Sequence, residues 1–125
     1  MTSRNTCKSD LSIDYWVEQL RLNVLSNAPD LIELFDLYAS EAKFGRKYIS
    51  GELNKLKHGA EILEVGAGTL ILSTQLAREG YNLTALEPTG SGFSHFNQLR
   101  EIVVNASRLE NCIPNLIEIS AENLE

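Results

Sequence analysis

The segment that most restricts what this chain can fold into is Glu64-Val65-Gly66-Ala67-Gly68-Thr69. A short apolar run, Ile62 to Val65, ends directly on the Gly-Ala-Gly turn, and a helical pattern from Leu70 to Glu79, closed by Gly80, begins just beyond it. Asn82-Leu83-Thr84-Ala85-Leu86 then returns as a second strand. Strand, helix and strand within residues 62–87 form a compact βαβ unit, which implies two adjacent parallel strands. Glycine lets the backbone reverse sharply between strand and helix, and lets a ligand approach where a Cβ would intrude. The N–H groups of Gly68, Thr69 and Leu70, at the helix start, are expected to point outward as a nest for a carboxylate or phosphate. Glu87 ends the neighbouring strand, where a carboxylate can accept both hydroxyls of a ribose; a solvated strand-end carboxylate is the plainer alternative. A nucleoside-bearing ligand fits this arrangement. The third position of the Gly-x-Gly-x-x-Gly dinucleotide fingerprint falls on Ile71, which makes NAD or FAD the second choice.

A further unit follows at once. Pro88 to Gly92 is a loop, residues 94–107 carry Phe96, Leu99, Ile102, Val103 and Ala106 on one helical face, and Leu116-Ile117-Glu118-Ile119 is a third strand. The part before Ala60 is helical in pattern. Ile13, Trp16, Val17, Leu20 and Val24 recur at three- and four-residue steps from a start near Ser12, and the run stops before Pro29. Asp30 and Glu33 have capping-box spacing, and Leu31, Leu34, Phe35 and Tyr38 continue an apolar stripe. Ser50 to Gly59 resembles a short third helix with a serine cap and a terminal glycine. Trp16, Phe35 and Phe44 are the expected apolar anchors of this half. The chain therefore divides into an N-terminal helical extension or lid, residues 1–60, and the first half of an α/β domain, residues 61–125. The fold class is α/β: a Rossmann-like parallel sheet, incomplete at about three strands, preceded by a helical region. Open α/β sheets commonly have about five or six strands, so the front half of a larger domain, or a chain whose open edge a partner or second copy covers, is expected.

Once these residues are assembled they resemble a known family. Glu64 to Thr69 within Ile62–Leu72, followed by Leu83-Thr84-Ala85-Leu86-Glu87-Pro88, is similar to the class I S-adenosylmethionine-dependent methyltransferases. The resemblance implies that Gly66, Ala67 and Gly68, with Thr69, receive the methionine end of S-adenosylmethionine and that Glu87 binds its ribose. It also implies that Glu64 helps organise the methionine amino group through the loop or water. Ser120-Ala121-Glu122-Asn123-Leu124 resembles the segment beside the adenine, with Ala121 and Glu122 meeting its edge. Two positions depart from the family: Leu70 stands where a third glycine is frequent, and Ser120 where an aspartate is common, exchanging a charge-assisted hydrogen bond for a weaker one. The match covers residues 62–88 closely, 92–124 loosely, and the first sixty residues not at all.

Composition narrows the function classes. A net charge of −6 argues against a general nucleic-acid backbone binder. No run approaches the roughly 18 apolar residues that cross a bilayer, so a cytoplasmic protein with no membrane partner is expected. Cys7 and Cys112 have no metal or redox spacing and are expected to be free thiols. No metal site is expected. His58, beside Lys55 and Lys57, reads as a surface residue, and His95 has no second histidine at helical spacing. Lys47 and Tyr48 are candidates for a lid but more often pack or face solvent. No catalytic residue is identifiable. Two functions remain: the cofactor half of a methyltransferase, or a non-catalytic interaction module that keeps the same scaffold.

Overall fold

A computed structural model describes residues 10–86 and 94–117. An α-helix, α1 (Ile13–Asn27), leads through a 3-10 turn, Pro29–Leu31, into α2 (Ile32–Tyr48) and a single-turn helix, α3 (Ser50–Leu53). The α/β part then runs β1 (Glu61–Val65), α4 (Ile71–Arg78), β2 (Asn82–Leu86), α5 (Ser94–Leu109) and β3 (Asn115–Ile117). The three strands are parallel in the order β1-β2-β3, with Val65 beside Leu86 and Leu86 beside Ile117. This is an α/β fold in which a helical region precedes an open three-stranded parallel sheet. Its strand order is that of the first half of a doubly wound, Rossmann-like sheet.

The α1 start matches its sequence signal: Ser12 Oγ accepts the Tyr15 N–H at 3.1 Å. Trp16, Val17, Leu20 and Val24 then bury one face against α2, α4 and α5. The second helix begins differently. Pro29 fixes φ and starts a 3-10 turn, closed by the Leu31 N–H on Ala28 O at 2.9 Å, so Asp30 lies within that turn and Leu31 takes the cap position with no side-chain bond. The Asp30–Glu33 capping box does not form. Ser50 is likewise no cap, because its hydroxyl donates to Arg46 O at 3.0 Å and accepts from Arg46 Nη1 at 2.9 Å. Phe35 is fully buried, whereas Phe44 is exposed. Nine residues separate them, which is half a turn out of phase on a helix.

The helices lie against one face of the sheet. Ile62, Leu83, Ala85 and Leu116 turn inward, and α4 packs directly on β2. On the opposite face Leu63, Val65 and Ile117 are 58%, 56% and 43% exposed. The third strand starts at Asn115, and the expected positions 118 and 119 lie outside the described residues. Cys112 is disulfide-bonded, which corrects the expectation of a free thiol there. No described helix is long and apolar enough to cross a membrane.

Between α1 and α4, Trp16 Nε1 donates to Thr74 Oγ1 at 2.8 Å, and Thr74 Oγ1 lies 2.8 Å from Leu70 O. The buried Arg78 pairs with Glu110 at 3.0 Å, donates to Asp10 O at 2.9 Å and lies over the Trp16 ring at 4.7 Å. Trp16→Phe keeps the ring but loses the indole donor, and is expected to cost about 1–2 kcal/mol in urea unfolding. Trp16→Ala, which also opens a cavity, is expected to cost about 3–5 kcal/mol. The α1–α2 hairpin also carries a pH signature. Hydrogen bonds from Arg21 hold the Asp36 carboxyl below its ordinary range. A lowered folded-state pKa stabilises above the unfolded value of about 3.9, and that stabilisation disappears as pH falls through the lowered value. Asp36→Asn is therefore expected to flatten the acid limb of the stability profile, and an unchanged limb would count against the pairing.

Candidate functional site

The turn from β1 into α4 is built from alternating left-handed residues. Gly66, Gly68 and Leu70 have φ of 70°, 65° and 74°. Glycine accepts such values freely, while leucine does so at a cost of roughly 1–2 kcal/mol. The Gly66 and Ala67 N–H groups both donate to Leu86 O, at 2.9 and 3.1 Å, which ties the loop to the end of β2. Ala67, Thr69 and Leu70 turn inward and are buried. A Cβ built on Gly66 or on Gly68 would meet no atom of the described residues within 4 Å. The loop thus presents two bare backbone positions to open space at the carboxyl end of the sheet, where ligands of open α/β folds bind.

Glu64 stands one residue before the loop's approach, half-buried, with its Oε1 accepting the hydroxyl of the buried Ser73 in the first turn of α4. This carboxylate therefore clamps strand to helix behind the loop. The expected outward nest is only partly available. Leu70 N–H is turned back onto Ala67 O at 3.2 Å and is not free for a ligand. Thr69 N–H makes no backbone hydrogen bond among the described residues.

The structure brings Glu64, Gly66, Ala67, Gly68 and Thr69 together around one turn. Glu87, Ser120, Ala121 and Glu122 lie outside the described residues. His58 is exposed near the far end of α4, its ring beside Gly80, and His95 is exposed in the first turn of α5. Tyr48 stacks on Phe44 on the outward side of α2, and Lys47 beside it is exposed, so neither closes over the loop. Among the described residues no group of three or more His, Cys, Asp or Glu side chains is placed to hold a metal.

Sequence reasoning missed the support beneath the loop. Ser73, Thr74, Gln75 and Arg78 give α4 a buried polar face. Thr74 engages the Leu70 carbonyl and Trp16, and Gln75 Nε2 donates to Leu11 O at 2.7 Å. The run Leu72-Ser73-Thr74-Gln75 was the available signal, since polar residues on the inner side of a short helix need partners from another element.

No known protein-family profile matches the chain. No solved structure matches it. It is similar to two Mycobacterium tuberculosis proteins described as uncharacterized, MT1557 of strain CDC 1551 / Oshkosh and Rv1509 of strain ATCC 25618 / H37Rv. Each is 46% identical over 102 residues, covering 82% of this chain and 35% of the relative. The chain thus spans about a third of the length of the curated relatives it matches.

Leu70 offers a direct test of how the turn is held. Its side chain is 1% exposed within the main core. Leu70→Gly removes the left-handed strain but also a buried side chain normally worth about 2–5 kcal/mol. The expected net result is a loss of about 1–3 kcal/mol in urea unfolding. A gain in stability would mean that strain, and not packing, dominates at this residue.

Proposed function

We propose that this chain is the cofactor-binding half of an S-adenosylmethionine-dependent methyltransferase, with Gly66 to Thr69 receiving the methionine end of the cofactor and Glu87 its ribose. The observation that carries the reading is the pair of left-handed glycines whose Cβ positions face open space at the end of β1. A side chain at either position would occupy the room through which a ligand reaches the backbone. Glu64 supports the same reading, because its link to Ser73 fixes the carboxylate directly behind the loop. The dinucleotide alternative is weaker. Ile71 is buried at the first position of α4, where the dinucleotide fingerprint places a glycine for close helix–strand packing.

When bound, S-adenosylmethionine supplies a methyl group on a sulfonium, open to in-line attack by a nucleophile. The contribution of this chain is positional: the glycine loop admits the cofactor, the clamp from Glu64 to Ser73 holds the loop's entry, and α4 holds its exit. The proposal covers cofactor binding and methyl transfer as a reaction class, with no acceptor assigned. Catalysis by a longer polypeptide of the relatives' length belongs to the same proposal.

Calorimetric titration with S-adenosylhomocysteine tests it. Saturable binding is expected, weakened at least about tenfold by Gly68→Ala, whose new methyl group enters the open space; its left-handed φ also costs about 1–2 kcal/mol of stability, which a urea melt of the variant reads separately. Glu87→Ala is expected to weaken it to a similar degree, and NAD to give no heat. No binding of S-adenosylhomocysteine, or binding indifferent to Gly68→Ala, would overturn the reading.

A further inference from the structure

The outward side of α2 carries an apolar stripe that is open to solvent. Leu37, Phe44 and Tyr48 are 55%, 69% and 79% exposed, and the Phe44 and Tyr48 rings stack with centroids 6.0 Å apart at 22°. Spacings of seven and four residues align them on the side opposite the buried Phe35, Ala39 and Ala42. Charges mark the two ends of this stripe. Glu33 lies one turn before Leu37, and Lys47 lies beside Tyr48; both are exposed. Several other charges of the hairpin are paired, Arg21 with Asp36 at 2.9 Å, Lys43 with Asp14 at 3.1 Å and Arg46 with Glu79 at 2.7 Å, whereas Glu18, Asp30 and Glu41 form no ion pair among the described residues. Glu33 and Lys47 form no ion pair among the described residues.

We propose that this face is a self-association surface, on which two copies of the chain pair their α2 helices antiparallel about a two-fold axis beside Ser40 and Glu41. Leu37 of each copy then meets the partner's Phe44, and Glu33 meets the partner's Lys47. One axis serves both contacts: the midpoint of 37 and 44 falls between 40 and 41, and that of 33 and 47 falls on 40. Glu41 of each copy lies beside the axis and faces the partner's Glu41, one like-charge contact set against the two Glu33–Lys47 pairs that the symmetry forms. A parallel pairing would instead place Glu33 against Glu33 and Lys47 against Lys47, and would align the helix dipoles unfavourably. The fit to a second copy follows from this pairing of opposite ends, which a chain of net charge −6 needs in order to approach itself.

Sedimentation equilibrium of the full chain, across about a hundredfold range of concentration, reads the association directly. A reversible dimer is expected. Phe44→Ser should weaken it by more than about tenfold, and Lys47→Glu by about tenfold. Combining Glu33→Lys with Lys47→Glu exchanges the two charges and should restore the dissociation constant to within about threefold of the original. All three positions are exposed, and circular dichroism and urea melts should remain those of the unaltered chain. A monomer at every concentration overturns the proposal, as does a dimer insensitive to Phe44→Ser. Failure of the double exchange to restore what Lys47→Glu loses overturns the antiparallel register. A dimer that dissociates on Leu63→Lys but not on Phe44→Ser would place the contact on the open sheet face and overturn it as well.

Discussion

The reversal of the chain between Val65 and Ile71 is the constraint on which the rest of this structure depends. A parallel strand can be followed by a helix packed on the same sheet only if the backbone turns within a few residues, and here it does so through left-handed conformations at Gly66, Gly68 and Leu70. Two N–H groups converge on the Leu86 carbonyl and fix the turn to the neighbouring strand. Glycine makes the first two of these conformations cheap. The third is held by burial of the Leu70 side chain and by Thr74, whose hydroxyl meets both the Leu70 carbonyl and the Trp16 indole. A strained residue thus sits at the point where the sheet, α4 and the N-terminal helix meet.

From that point α4 organises the packing around it. A helix only two turns long cannot be stable alone, so its stability comes from what it contacts. Its apolar residues face β2 and the core, while Ser73, Thr74, Gln75 and Arg78 are buried as well. Burying such groups is costly unless they are bonded. Glu64 bonds Ser73, Trp16 bonds Thr74, the Leu11 carbonyl bonds Gln75, and the Asp10 carbonyl and Glu110 bond Arg78, while Gln75 Oε1 and Arg78 Nη1 are buried with no hydrogen-bond partner among the described residues. The approach to α1 and the helix itself are therefore part of the loop's support. Arg46 and Glu79 extend the same arrangement from α2 to the far end of α4, and their hydrogen bond raises the Arg46 pKa further above neutrality, keeping the guanidinium charged.

Much of this was legible in the residues, because strands, helices and glycines leave periodic or punctuating signals. The βαβ unit around Gly66 and Gly68, the parallel pairing and the start of α1 near Ser12 follow from patterns within a few residues of one another. Other features depend on partners distant in sequence. Phe44 has the composition of a core anchor but the wrong phase relative to Phe35. Asp30 and Glu33 have the spacing of a cap, yet Pro29 starts a 3-10 turn ahead of them, and Ser50 is drawn to Arg46 in the preceding turn. The left-handed conformation of Leu70 has no local signature in a leucine, and the bonds that Thr74 and Gln75 make to Trp16 and to the Leu11 carbonyl reach the region around α1, roughly sixty residues earlier. The glycines of the candidate site were visible for the same reason as the fold. The clamp between Glu64 and Ser73 was not, since the polar run on α4 signals partners from another element without indicating that Glu64 is one of them.

The functional reading rests on the same turn, because bare backbone at the end of a parallel strand is both the means of reversing the chain and a place for a ligand to approach. Amide chemical-shift mapping in nitrogen-15-labelled chain during titration with S-adenosylhomocysteine tests this most directly. The account predicts that Gly66, Ala67, Gly68 and Thr69 shift together and saturably, while the outward residues of α2 stay fixed. Saturable shifts located elsewhere, with the amides of the glycine loop unmoved, would contradict it.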